Sequence, residues 1–466
     1  MFEGYDQEVM SVVNISPSYI DLVKIGDSST GTITQPTKQG GIVAIYYIGT
    51  LVGALMGGAM SDKFGRRKAI FFGGIWGLFG QSMQVAAQNA NWMLCARLLA
   101  GVGTGSIGAL IPVWGSELVA HNARGMVMAF ETFVNFAGIS TSYWLEYGLS
   151  FVKHGHTQVR WRFPLGFQMI FLAALMAIIP FMPESPRWDI GNGRQERGIM
   201  TLAIFRARGE IDHPAVQSEF KEIVAAVELE AEYPARTYFH MVTGINSSDL
   251  HLGRRTFLAA WLQIMQAWTG VTSVVVYAPT LFRIAGFSGH KADLLTGCAN
   301  VVAMVCCVFA YLTIDRYGRR KVLIAGGFGQ SLSFFILGAL SKVYPTEIFP
   351  LATRSRGNAF GIVGWSLGCG SVSLATPPMF KALGPQGFFN LAAVAMVYCF
   401  YPETSCSTLE EIDLLFASKS PFVWETERNF KELKLQHSAL VHGMAGEKSG
   451  GAQVEEAEAV PEQQKC

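Results

Sequence analysis

The sequence predicts an all-α polytopic membrane protein built from two pseudo-symmetric helical halves. Of its 466 residues, 50% are hydrophobic and only 15% are charged, whereas about 25% of the residues in a soluble domain are charged. Ten apolar runs are separated by polar stretches, the longest of them at 185–255, and three motifs occur twice in the same order. The first two observations predict membrane spans, and the third predicts a duplicated architecture.

A helix needs about 20 mostly apolar residues to cross a bilayer. Runs near this length lie at 40–60, 69–88, 92–113, 126–148, 163–182, 256–282, 292–314, 322–341, 357–380 and 387–402, the last being short. The glycine-rich text "GTLVGALMGGAM" predicts close helix approach within lipid. Residues 14–39 are polar and rich in turn-forming residues, which predicts a loop.

The spacing of the runs predicts four regions. Residues 1–184 form an N-terminal transmembrane half, 185–255 a charged cytoplasmic linker, 256–404 a C-terminal transmembrane half, and 405–466 a largely disordered polar tail. Basic residues crowd two short loops, and the positive-inside rule places these loops and both termini in the cytoplasm. Lys153, Arg160 and Arg162 oppose that orientation, because alternation puts their loop outside.

Several function classes are disfavoured by composition and motif content. The net charge of +1 gives no electrostatic basis for nucleic-acid binding. Most of the eight cysteines fall within apolar runs and lack the spacing of metal ligands. The sequence shows no nucleophile–base set and no phosphate-binding loop, so we expect neither an enzyme nor a bound cofactor.

Three motifs are repeated in each half. "DKFGRRK" at Asp62 matches "DRYGRRK" at Asp315; an acid seven residues before an arginine follows, and each half closes with Pro-Glu and a hydroxyl residue. Arginine–carboxylate pairs are strongest where water is scarce. We expect a cytoplasmic gate of ion pairs, the alternative being that these residues only anchor loops. The residues are Asp62, Arg66, Arg67, Glu117, Arg124, Glu184, Arg187, Asp315, Arg319, Arg320, Glu347, Arg354 and Glu403.

The combined text resembles the sugar porter family of the major facilitator superfamily, particularly its fungal hexose and polyol branch. The resemblance rests on "GYDQEVM", "DKFGRRK", "ARLLAGVGTGSIG", "PESPRW", "QAWTGVTSVVVYAPTLF", "DRYGRRK", "YPTEIFPLATRSRG" and "PETSCSTLEEID", and it covers roughly residues 2–416. It implies a fold of two six-helix halves in the plasma membrane. It also implies transport of a sugar or polyol by alternating access.

The resemblance implies that Asp6 and Arg97 form a proton-responsive pair, as the matching residues do in proton-coupled members of the family. An acid inside a membrane segment is costly and therefore suggests function. Its ionisation also depends on the distance to a neighbouring cation. The alternative is that Asp6 is a solvent-exposed acid near the chain terminus.

The resemblance also implies substrate-binding positions, and here the sequence departs from the family pattern. Gln266, Tyr277 and Trp365 match, whereas Ala267 replaces a glutamine and Val276 a tyrosine. Thr272 replaces an asparagine, Thr132 a glutamine, and glycines stand where asparagine is common. Lost partners for hydroxyl groups can cost orders of magnitude in recognition. These losses put plain glucose in doubt as the substrate, and a less hydroxylated or bulkier substrate fits the pattern equally well.

The repeat also indicates missing segments. Gly65 and Glu117 are separated by 52 residues, but Gly318 and Glu347 by only 29, a deficit of about one span. We expect most of a tenth span to be lost near Leu340–Val343, and the first span to lack its first half. About 10–11 spans of 12 would then be present. Glu3 and Glu8 add acids to the first helix, and such acids are expensive unless they face water.

Three functional readings follow. The preferred one is a transporter of a sugar or polyol, with proton symport. The alternatives are a non-transporting sugar sensor and an inactive truncated paralogue of the same fold. Lost coding segments are favoured over a decayed gene, because the losses are local and the motifs around them are intact. Substrate identity, direction of transport and oligomeric state do not follow from the sequence.

Overall fold

The computed structural model describes residues 1–27, 32–119, 124–151, 158–231, 238–243, 252–267, 276–279, 282, 289–317, 356, 359–360 and 362–371. Three short helices begin the chain: α1 (Phe2–Glu8), α2 (Met10–Val13) and α3 (Pro17–Val23). Five long helices follow: α4 (Pro36–Phe64), α5 (Arg66–Val85), α6 (Ala90–Leu118), α7 (Arg124–Ser150) and α8 (Val159–Ile178), the last extended by a 3₁₀ turn over Ile179–Phe181. These helices correspond to the first five predicted runs.

The segment 14–39 is more ordered than the predicted loop. Besides α3 it contains β1 (Gly26–Asp27) and β2 (Thr32–Ile33), which pair antiparallel with Gly26 opposite Ile33. Tyr19 and Ile20 of α3 are fully buried and pack with Trp161 of α8 in one apolar cluster. Apolar burial therefore orders a stretch whose composition indicated turns.

Helices α4 and α6 approach closely because glycines face one another along their contact. A Cβ added at Gly53 would collide with the backbone of Val102, and one added at Gly105 would collide with the backbone of Thr50. Small residues allow this approach in lipid, where helix association depends on van der Waals packing. The glycine-rich text thus positions α6, which carries Arg97, against α4, which carries Asp62.

Helix α1 packs parallel to α7. A side chain at Gly4 would collide with the carbonyl of Asn135, and one at Gly138 with the backbone of Met1 and Tyr5. The Tyr5 hydroxyl donates to the carbonyl oxygen of Pro164 in α8, at 3.1 Å. These contacts fix α1 within the bundle, so its acidic residues have defined surroundings.

The linker contains four helices: α9 (Pro186–Gly191), α10 (Gln195–Ala207), α11 (Pro214–Ala231) and α12 (Tyr238–Thr243). The first three share a small apolar core around Ile190, Leu202 and Val216. Arg206 joins this unit to the bundle, because its guanidinium donates to Glu219 of α11 and to the carbonyl of Leu118 in α6.

In the C-terminal half the structure describes α13 (Leu252–Gln266), α14 (Gly289–Tyr317) and the helical residues 362–371. Helix α14 packs on α7, and the Tyr143 hydroxyl donates to the carbonyl of Asp293 at 2.5 Å. This contact links the two halves.

Among the described residues, four helices are both long and apolar enough to cross a membrane: Pro36–Phe64, Ala90–Leu118, Val159–Phe181 and Lys291–Val308. Helices α5 and α7 have 20 and 27 residues and are less apolar. Large apolar side chains are exposed on the outside of the bundle, including Phe79, Phe130 and Ile170. A lipid environment suits such a surface.

Candidate functional site

The first candidate site is a buried acid–base pair between α1 and α6. Asp6 is fully buried and Arg97 is 2% exposed, and an Arg97 guanidinium nitrogen lies 3.7 Å from Asp6 Oδ1. That distance exceeds the usual range of an N–H···O hydrogen bond, so the contact is electrostatic and not a directed bond. The predicted partners therefore lie together, and Asp6 is not an exposed terminal acid.

Two neutral donors hold the Asp6 carboxylate. Gln81 of α5 donates to Oδ1 at 3.1 Å, and Thr104 of α6 donates to Oδ2 at 3.2 Å. Gln81 is itself held by the amides of Gln84 and Gln168, which donate to its Oε1. Arg97 lies over the ring of Tyr46, 4.4 Å from its centroid. The carboxylate is thus hydrogen-bonded to neutral groups and attracted electrostatically by Arg97.

Next to this pair, an aromatic cluster joins the two halves. Tyr46 and Tyr47 of α4 pack with Ala267, Val276, Tyr277 and Cys369, and Trp365 lies against them. The Tyr47 and Trp365 rings meet edge to face, with centroids 5.4 Å apart. Thr50 and Ser366 are hydrogen-bonded at 2.5 Å across the same contact. Aromatic faces with a few hydroxyl groups suit a ligand that is partly apolar.

Only some of the predicted substrate residues lie at the aromatic cluster in the described part of the structure. Tyr277 and Trp365 lie in the aromatic cluster, and Gln266 is buried next to Ala267. Thr132 of α7 is buried, but its hydroxyl donates to the carbonyl of Met128 one turn earlier in its own helix. Thr272 lies outside the described residues. The structure brings Tyr277 and Trp365 to one place, and Gln266 directly precedes Ala267 of the same cluster in the chain.

The second candidate site lies where α4 ends and α5 begins. The Arg66 guanidinium donates twice to Glu117 of α6, at 3.0 and 3.1 Å, and lies 4.0 Å from Asp62. The Arg66 and Glu117 side chains are 5% and 0% exposed. Gly65 reverses the chain with φ +97°, a conformation that glycine adopts readily. The "DKFGRR" text thus builds a tight turn that presents Arg66 to Glu117.

Glu184 acts on backbone groups and not on a guanidinium. Its carboxylate accepts the backbone N–H groups of Arg66, Arg67 and Ser185, at 2.9, 3.3 and 3.1 Å. Burial raises the pKa of the Glu184 carboxyl, although these donors and the nearby Arg66 charge favour its ionised form. Glu184 therefore fastens the start of α5 to the start of α9.

The neighbouring arginines have different surroundings. Arg67 donates to the carbonyls of Pro180 and Met182, at 3.3 and 3.1 Å, and Arg187 is buried at the start of α9. The side chains of Arg124 and Asp315, and the whole of Arg319, Arg320, Glu347, Arg354 and Glu403, lie outside the described residues.

One contact at this end crosses between the halves. Arg356 binds Asp62 at 2.9 Å and lies over the ring of Tyr238, 5.8 Å from its centroid. Tyr238 belongs to α12 of the linker; its hydroxyl donates to the carbonyl of Leu55 at 2.8 Å, and its ring meets that of Phe360. The linker and the second half therefore both contact α4.

The chain matches the model of the family described as "Sugar (and other) transporter" over residues 1–345 and 338–416. The chain belongs to this sugar transporter family of the major facilitator superfamily. It is accordingly a multi-pass membrane transporter and not an enzyme. The two matched pieces meet at 338–345, the stretch in which the repeat spacing predicts the missing span; the loss of that span stays a prediction.

Two curated proteins are similar to this transporter in sequence over most of their length. The MFS-type transporter oryC of Aspergillus oryzae is 31% identical over 90% of this chain and 84% of its own length. The sugar transporter STL1 of Saccharomyces cerevisiae is 27% identical over 93% of this chain and 82% of its own. Among solved structures, the proton:xylose symporter XylE superposes with a TM-score of 0.75 at 22% identity, covering 89% of this chain and 96% of XylE. That likeness confirms the all-α major facilitator fold.

Some residues around the transporter's candidate sites were missed from the sequence. Gln81 and Thr104 contact Asp6, and Arg356 contacts Asp62, yet none of the three was singled out from the sequence. Arg356 follows Arg354 by two residues in "TRSRG", and Thr104 follows Arg97 in "ARLLAGVGTGSIG", so the motifs contained these residues without indicating their roles. Gln81 lies in none of the quoted motifs, and its contact with Asp6 depends on how α1 and α5 pack.

Proposed function

We propose that this transporter carries a sugar or related polyol across the plasma membrane by alternating access, coupled to proton movement at Asp6. The observation that carries the coupling is the buried Asp6–Arg97 pair, at 3.7 Å with no directed bond between its members. A carboxylate stays ionised while a cation is near and takes up a proton more readily when that cation withdraws. A change in the packing of α1 against α6 therefore alters proton affinity.

The substrate proposal rests on the aromatic cluster and on family membership. Tyr47, Tyr277 and Trp365 offer ring faces, and the buried Gln266 directly precedes Ala267 of the same cluster. Ala267 and Val276 contribute no hydrogen-bonding groups from their side chains. Such a site favours a ligand with fewer hydroxyl groups, or a larger apolar part, over glucose.

The cytoplasmic gate is proposed at the contact of Asp62, Arg356 and Tyr238, with both termini and the linker on the same side of the membrane. Opening the inner face requires the Arg356–Asp62 pair, at 2.9 Å, to separate. Both side chains are 21% exposed, so water can solvate them as they part. A modest free-energy cost of separating the pair suits a gate that opens and closes in every transport cycle.

The test is uptake of labelled sugars and polyols by yeast lacking its own hexose carriers, with and without a protonophore. We expect accumulation that rises as external pH falls and collapses with the protonophore. Asp6→Asn should abolish accumulation against a gradient while retaining exchange at equal concentrations, because an amide binds no proton at these pH values. Asp21→Asn is the matched control, since Asp21 is exposed on α3. Accumulation by Asp6→Asn equal to that of the wild type would refute coupling at Asp6.

A further inference from the structure

A second pair of buried acids lies on α1 and α7, apart from the Asp6–Arg97 pair. Glu8 is fully buried and Glu146 is 1% exposed. Ser11 donates a hydrogen bond to Glu8 Oε1 at 2.8 Å. Glu8 Oε2 and both Glu146 carboxyl oxygens are buried without a hydrogen-bond partner among the described residues. Buried carboxyl oxygens that lack hydrogen-bond partners are rare in native proteins, so these two acids need an explanation.

The parallel packing of α1 and α7 brings the two acids together. Met1 and Tyr5 lie beside Gly138, and Tyr5 is next to Ser142. One turn beyond Ser142 on α7, Glu146 interacts electrostatically with Glu8 of α1, and the Val12 backbone of α2 also approaches it. The same register that gives α1 its close contact with α7 therefore places one carboxyl near the other.

The surroundings of the acids supply little compensating charge. Arg160, at the start of α8, acts electrostatically on Glu146. The ion pairs between described residues include none to Glu8 or Glu146. Arg97 contacts Asp6 instead. Tyr5 and Tyr143 face the acids from α1 and α7, but each hydroxyl donates to a backbone carbonyl, of Pro164 and Asp293 respectively. Asp293 adds a further acid on α14.

Polar groups without partners point into this site. Ser142 is fully buried, its hydroxyl makes no hydrogen bond within the described part of the chain, and it lies one turn before Glu146 on the same face of α7. Asn300 of α14 approaches Glu8, and its amide nitrogen is also without a partner there. A small cationic occupant would give the acceptors what they lack.

We propose that Glu8 and Glu146 form a second proton-binding site, in which one proton is held between the two carboxyl groups. Two neighbouring carboxylates in a buried site cannot both be ionised without a large cost, whereas a carboxylic acid beside a carboxylate forms a strong O–H···O⁻ hydrogen bond. The proton enters from water and returns to it, and no covalent bond to carbon changes.

The position of the site suggests its role. It lies at the contact of α1 and α7 with α14, through Asn300 and the Tyr143–Asp293 bond, so its charge is sensed by both halves. Losing the shared proton leaves two negative charges that repel each other across the contact. The site thus deepens the proposed proton coupling and rests on it for this role, but its proton binding is measurable without transport.

The test is infrared spectroscopy of the purified full-length protein in detergent during a pH titration. We expect a C=O stretching band of a protonated carboxylic acid that disappears as pH rises. The band should be absent from Glu8→Gln/Glu146→Gln and present in Asp6→Asn. A band unchanged in the double variant overturns the proposal. Stabilisation of the wild type by sodium without any carboxylic-acid band also overturns it, because the occupant would then be a metal ion.

Single variants keep the proposal testable should the double variant fail to survive extraction. Sharing of one proton predicts that Glu8→Gln and Glu146→Gln each move the midpoint of the band by about one pH unit or more, because each removes the neighbour with which the other acid is coupled. Midpoints equal to that of the wild type in both variants overturn the proposal. Failure of sugar uptake in every variant, with the band behaving as expected, would count against the proposed function alone.

Discussion

The two buried arginine–carboxylate pairs of the N-terminal half differ in construction. At the end of α4, Arg66 donates two hydrogen bonds to Glu117, at 3.0 and 3.1 Å. Between α1 and α6, Arg97 lies 3.7 Å from Asp6, and the carboxylate is bonded to Gln81 and Thr104 instead. The first arrangement fixes geometry, because bidentate pairs are directional. The second contact has no directed bond between arginine and carboxylate, because the donors to Asp6 are neutral groups.

The largest expected effect is a difference in stability between two variants, each of which lacks the arginine of one pair. Arg66→Met should destabilise the protein by about 3–5 kcal/mol, because it leaves the buried Glu117 without its bidentate partner. Arg97→Met should cost much less, since Asp6 keeps two neutral donors and can take a proton. Thermal unfolding of the detergent-solubilised variants, followed by size-exclusion chromatography, measures both effects.

Arg67→Met is the control for this comparison. Within the described part of the chain, the Arg67 guanidinium donates to the exposed carbonyls of Pro180 and Met182, so its loss should cost about 1 kcal/mol. Equal destabilisation by Arg66→Met and Arg97→Met would mean that the two pairs have the same structural role, and the contrast drawn from their geometry would be wrong.

A smaller effect should follow from changing the neutral donors of the second pair. Gln81→Leu removes the donor at 3.1 Å from Asp6 and so disfavours the ionised carboxylate. We expect proton-dependent uptake to persist to higher external pH than in the wild type, with the maximal rate less affected. Ser82→Ala is the control, because Ser82 is exposed and donates to a carbonyl of its own helix. An unchanged pH profile in Gln81→Leu would show that the donor does not tune Asp6.

These contrasts also show what the sequence could predict. The duplicated motifs identified Asp62, Arg66 and Glu117 because each motif is local and its glycine turn presents the arginine. The resemblance identified Asp6 with Arg97. The partners Gln81 and Thr104 were not identified, because they come from helices whose rotation about Asp6 is set by glycine packing. Glu8 was recognised only as an expensive acid; its neighbour Glu146 became apparent once the register of α1 on α7 was known.

The smallest expected effect concerns Glu184, which binds the backbone of Arg66 and Arg67 beside the Arg66–Glu117 pair. Burial raises the pKa of its carboxyl in the folded protein, so the folded state binds this proton more tightly than the unfolded chain does. Relative to Glu184→Gln, the wild type should therefore gain stability on acidification. The gain is fully present below the ordinary glutamate pKa of about 4.3 and is lost as pH rises through the folded-state value.

Unfolding temperatures of the wild type and Glu184→Gln across this pH range measure that difference. Glu184 accepts three backbone N–H groups, so the amide should also weaken the junction of α5 and α9 at every pH. The part of the difference in unfolding temperature that changes with pH reports burial of the Glu184 charge. The part that is the same at every pH reports loss of the hydrogen-bond acceptors. A wild-type advantage that grows as pH rises would mean that the backbone donors outweigh burial, and that the turn built by "DKFGRR" holds Glu184 in the ionised form.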